Sequence, residues 1–83
     1  YHKKFTKRFE RLGFKLQNRA IETIELFQKN PSSLVLRNHA LKRNMAGKRA
    51  ISVTGDVRIV FEEYDNYVLV IMLDVGTHDQ VYG

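Results

Sequence analysis

The sequence predicts an α+β domain, with two antiparallel N-terminal helices lying against an antiparallel sheet built from the second half of the chain. Two observations carry this. Apolar residues recur at spacings of three and four up to Lys29 and at a spacing of two from Lys48 onward. Short Gly, Asn and Asp pairs then punctuate the second half at turn-like intervals.

The first helix is read from Lys3 to Leu12. Phe5, Phe9, Leu12 and Leu16 fall on one face, with Lys and Arg on the other, and Gly13 interrupts the pattern. A second helix is expected from about Leu16 to Lys29, its apolar line being Leu16, Ala20, Ile24 and Phe27, broadened by Ile21. Asn30-Pro31 stops it, because the proline ring disfavours helical geometry at Asn30. Residues 32–47 read as a polar connection ending at Gly47. Ile51 and Val53 then point one way, with Ala50, Ser52 and Thr54 the other. Gly55-Asp56 is a turn signal, followed by Val57, Ile59 and Phe61 alternating with Arg58, Val60 and Glu62. After a second turn at Asp65-Asn66, Tyr67 to Val75 is apolar on both faces up to Asp74, which predicts a central strand covered on both sides. Gly76 ends it. The result is a three-stranded meander on which the helix pair buries its stripe.

Composition narrows the function classes. The 83 residues contain no cysteine, which excludes disulfides and thiolate metal sites and suits a reducing, cytoplasmic setting. The longest apolar run, Val68 to Leu73, is far short of the roughly 20 residues of a spanning helix, and no signal-peptide pattern opens the chain. Net charge is +5, but residues 1–50 hold 13 of the 14 basic and 3 of the 9 acidic residues, while residues 51–83 hold 1 basic and 6 acidic. The first half therefore offers a cationic surface to a polyanion, of which nucleic acid is the obvious candidate.

Four side chains are candidates for chemistry. His78 lies two residues past a strand-ending glycine; it is either a proton-transfer group or a solvated loop histidine. Arg58, the one cation after residue 50, either aims its fork at a phosphate or pairs with Glu62 on the same face. Tyr82 either contacts a phosphate or base, or pins the tail to the sheet. His39, in the basic connection, is an even choice between function and structure. The histidines at 2, 39 and 78 have no metal-ligand spacing, no glycine-rich phosphate loop is present, and Ser32, Ser33 and Ser52 sit in no nucleophile elbow.

The runs Leu36-Arg37-Asn38-His39-Ala40-Leu41-Lys42, Gly47-Lys48-Arg49, Thr54-Gly55-Asp56-Val57-Arg58-Ile59-Val60-Phe61, Val75-Gly76-Thr77-His78 and Val81-Tyr82 resemble, in order and spacing, the RelE/ParE superfamily of bacterial toxins, and its YafQ-like branch most of all. The resemblance covers nearly the whole chain. It implies one RelE-like domain over residues 1–83, with two helices on a three- to four-stranded antiparallel sheet, and it sets the first strand of such domains ahead of Tyr1. It also implies a ribosome-dependent mRNA endonuclease that inhibits translation. Such an enzyme acts without metal or other cofactor, the 2′-hydroxyl attacking the adjacent phosphate. On this pattern His39, Asp56, His78 and Tyr82 match functional positions, and Arg58 matches a phosphate-contacting arginine. Lys42, Arg43, Lys48 and Arg49 would hold mRNA or ribosomal RNA phosphates in the A site. The implied partner is a cognate antitoxin, acidic and partly disordered, with no membrane involved.

Three departures stand out. Ser52 replaces a strand histidine, Val57 a tryptophan, and Arg43 a glycine found in many relatives. The loss of the strand histidine removes one proton-transfer group. It therefore also suits a ParE-like inhibitor of DNA gyrase, or an RNA-binding member with weakened chemistry.

Overall fold

A computed structural model of the chain describes residues 3–64, 69–77 and 81. Helix α1 spans Lys3–Arg11 and α2 spans Phe14–Lys29. Four strands follow: β1 (His39–Ala40), β2 (Arg49–Ser52), β3 (Val57–Tyr64) and β4 (Leu69–Thr77). They form one antiparallel sheet in the order β1-β2-β3-β4. The predicted α+β architecture is the one observed, with four strands in the sheet.

The helices are where the 3.6-residue period puts them. Phe5 of α1 and Ala20, Ile24 and Phe27 of α2 are buried, and Phe9, Leu12 and Leu16 pack at the edge of the same cluster. Ile21 does not broaden this face. It lies about 100° round the helix from Ala20 and is exposed, whereas Thr23 is buried and Leu26 half-buried on the other flank. At Asn30 the chain leaves helical geometry (φ −151, ψ 86), and its N–H closes the last turn on the Leu26 carbonyl at 2.8 Å.

The cluster sits between α2 and one face of the sheet, where Ile51, Val53, Val57, Ile59, Phe61, Met72 and Val75 meet it. Phe27 and Phe61 pack edge to face, with ring centroids 4.8 Å apart at 61°. Replacing the fully buried Phe61 with alanine is expected to cost about 3–5 kcal/mol, read as a lower denaturation midpoint with an unchanged slope.

Two sequence expectations are corrected. The stretch ending at Val75 is not the central strand: β4 is an outer strand of the sheet among the described residues, and β3 lies inside it. The two-faced apolar pattern of β4 arises because α1 covers it as well. The connection at 32–47 is not wholly polar loop either. Leu34–Leu36 forms a 3-10 turn that buries Leu36, and His39–Ala40 adds the fourth strand. The expected turn at Asp65-Asn66 lies outside the described residues.

Pairing between β3 and β4 steps from Phe61↔Met72 to Val60↔Asp74, so Leu73 has no partner and the strand bulges there. Asp74 is consequently opposite Val60, on the face away from the apolar cluster. It is buried, and its Oδ1 accepts the Val75 N–H at 2.9 Å. Lys4 Nζ and Arg8 Nε, one turn apart on α1, each approach the carboxylate to 3.4 Å. This ion triad ties α1 to β4.

A candidate phosphate-handling site

Arg58 projects from β3 in the row Ser52↔Arg58↔Gly76 across the sheet. Its neighbours in that row are a small hydroxyl side chain and a residue with no side chain. It does not pair with Glu62. Its Nη1 donates to the Ser52 hydroxyl at 3.5 Å and to the carbonyls of Thr54 at 3.5 Å and Gly55 at 3.3 Å. These are long contacts to uncharged acceptors. Among the described residues no carboxylate pairs with Arg58, whose charge is held in place by neutral acceptors.

His39 reaches the same place from the short β1 strand. Pairing of His39 with Ala50 and Ala40 with Arg49 fixes the strand, and the Leu41 N–H to Lys48 carbonyl bond (2.9 Å) continues it. The imidazole Nδ1 lies 2.7 Å from the Arg37 carbonyl. A carbonyl can only accept, so Nδ1 donates to it and Nε2 is the ring nitrogen left for another partner. Arg37 supplies that carbonyl from a left-handed conformation (φ 51, ψ 42) at the end of the 3-10 turn.

His39, Lys42, Arg43, Met45 and Arg58 line one open hollow of about 560 Å³. The described residues lining it therefore bring a histidine, two arginines and a lysine together with no acidic residue among them. Arg43 occupies it at a conformational cost, since its φ of 57 is left-handed. That explains the glycine at this position in the family pattern. Replacing Arg43 with glycine is expected to raise stability by about 0.5–1 kcal/mol, the relieved strain outweighing the larger unfolded-state entropy. The same change removes one cation from the hollow. Urea denaturation and salt-dependent RNA binding would measure the two effects separately.

The remaining candidates are distributed differently. Arg49 turns away, its Nε donating to Asn38 Oδ1 at 2.9 Å, and lines a separate recess beside Pro31 and Ser33. Lys48 is half-buried and does not line the hollow. Asp56 is exposed in the β2–β3 turn, where its N–H and that of Val57 both donate to Thr54 Oγ1, at 3.3 and 3.1 Å. Val57, at the tryptophan position, is a core residue. His78 and Tyr82 lie outside the described residues. Sequence reading missed Arg37, which orients His39 through its backbone, and Thr54 and Gly55, which hold Arg58 through theirs. Main-chain partners leave no signal in side-chain identity.

No family model matches the sequence, and no curated protein matches it either. Comparison of structures is informative where sequence is not. The two helices and the antiparallel sheet have the same fold as solved YafQ and RelBE2 toxin structures. Within that class the fold is of the YafQ type: the chain superposes on YafQ from E. coli strain BL21(DE3) with a TM-score of 0.85 and 22% identity, covering 100% of this chain and 94% of that one. The E. coli DinJ-YafQ complex matches at a TM-score of 0.73 and 22% identity, over 100% and 94% of the two chains. The RelBE2 toxin-antitoxin complex from Mycobacterium tuberculosis matches at 0.74 and 18%, over 92% and 90%.

Proposed function

We propose that the chain is the toxin of a type II toxin–antitoxin pair and that it cuts mRNA in the ribosomal A site. The observation that carries this reading is that Arg58, which makes no ion pair among the described residues, lines the same cationic hollow as His39. The RelE-superfamily fold supports it, as do the antitoxin complexes among the structures it superposes on.

The reaction needs no group beyond amino-acid side chains. His39 Nε2 takes the proton of a ribose 2′-hydroxyl, whose oxygen attacks the adjacent phosphorus. Arg58 stabilises the two non-bridging oxygens as the pentavalent state gains charge. The bond from phosphorus to the 5′ oxygen breaks, and that oxygen accepts a proton from an acid, the role assigned to His78. The products are a 2′,3′-cyclic phosphate and a 5′-hydroxyl. Tyr82 is assigned to positioning. Lys42 and Arg43 hold flanking phosphates, and Lys48 and Arg49 add to the positive field around them. Asp56 is given no proton to move. The partner is an acidic, partly disordered antitoxin, which would meet the basic half of the chain by charge complementarity.

Ser52 favours a second reading, gyrase inhibition, because it gives Arg58 a hydroxyl neighbour in place of an imidazole. Primer extension on RNA from expressing cells separates the two. Discrete cuts near codon boundaries, abolished by co-expression of the product of an adjacent short reading frame, are expected. DNA breaks without RNA cuts would replace the nuclease reading with the second.

A further inference from the structure

Arg58 is a wall shared by two depressions. On its other side lies a cleft of about 470 Å³ between α2, the 3-10 turn and the β2–β3 turn. The floor of this cleft is apolar, with Leu26 and Val53, while Arg19, Glu22 and Arg37 stand exposed at its rim. Among the described residues Glu22 makes no ion pair, although three arginines, Arg19, Arg37 and Arg58, line the same cleft. An unpaired carboxylate beside unpaired guanidinium groups, over an apolar floor and next to a phosphate anchor, is an arrangement with a particular ligand chemistry.

We propose that this cleft is a nucleobase pocket selective for guanine, occupied by the base attached to the phosphate held at Arg58. Guanine is the base whose polar edges match both signs of charge. Its N1–H and N2–H₂ donors are adjacent and suit a carboxylate, while O6 and N7 accept from a guanidinium fork. Uracil offers a single N–H between two carbonyls, which face the carboxylate unfavourably. Cytosine and adenine each offer one amino group. The flat ring covers Leu26 and Val53 in every case, so stacking gives affinity and Glu22 gives choice. The inference rests on Arg58 being a phosphate anchor, as in the function proposed above, but not on cleavage itself.

The test is an NMR titration of the full chain with the four nucleoside 3′-monophosphates. Guanosine 3′-monophosphate is expected to bind roughly tenfold more tightly than the uridine nucleotide, with shifts at Glu22, Arg37 and Arg58. Glu22 is exposed, so Glu22→Gln keeps the fold. It should bring the ratio close to one while leaving uridine nucleotide affinity unchanged. Arg58→Ala should weaken all four alike. Equal or undetectable binding of the four by the unaltered chain overturns the pocket, as does a Glu22→Gln variant that loses affinity for all of them equally. If guanine is preferred yet ribosome-bound mRNA stays intact, the nuclease reading fails and the pocket stands. If mRNA is cut but the nucleotides bind alike, the pocket alone fails.

Discussion

Replacing Arg58 with alanine is expected to slow cleavage of ribosome-bound mRNA by about 10²–10³-fold, the usual effect of removing one donor from a developing oxyanion. Folding should be nearly unaffected, because among the described residues the guanidinium makes long bonds to neutral acceptors and no ion pair. Arg58→Lys should recover part of the rate, since an ammonium supplies charge without the two-pronged geometry that matches phosphate oxygens. Single-turnover cleavage measured alongside thermal melting would check both statements. An alanine variant that cuts at the original rate while remaining folded would remove Arg58 from the chemistry.

His39→Gln should cost about 10²–10⁴-fold in the same assay. Glutamine keeps a hydrogen-bonding amide near the Arg37 carbonyl but is not basic enough to take a hydroxyl proton. Its signature is therefore a slower single-turnover cleavage step at unchanged binding. Binding of uncut RNA should hardly change, because Lys42, Arg43 and Arg58 remain in the hollow. Exposure of His39 makes an indirect effect through instability a poor explanation of any loss.

Much of the architecture is legible in the residues themselves. The stripe from Phe5 to Leu16, the line from Ala20 to Phe27, the stop at Asn30 and the alternation from Ile51 to Phe61 each follow from local periodicity and turn chemistry. What escaped reading was set by distant partners. Leu36 is buried because a 3-10 turn folds it under β2 while its apolar neighbours Leu34 and Val35 stay exposed, a choice that no local pattern announces. The outer position of β4 is a matter of topology, to which hydrophobicity is blind. The site follows the same division. Arg58 could be singled out as a lone cation on a strand. Its meeting with His39 depends on a two-residue strand pairing across a glycine-containing turn. Arg49 looked as suited to RNA as Arg43, until Asn38 engaged it.

The unpaired Leu73 settles more than a local kink. Were Leu73 paired with Val60, strict alternation would carry the ladder on from Phe61↔Met72, setting Asp74 against Ile59 in the apolar layer and Val75 against Arg58. One surplus residue reverses the parity of everything beyond it. The carboxylate is thereby delivered to the lysine and arginine of the first helix, and a glycine to the flank of the guanidinium. Anchorage of the helix and the placing of glycine beside Arg58 are thus a single choice of backbone phase, and neither can be altered there without the other.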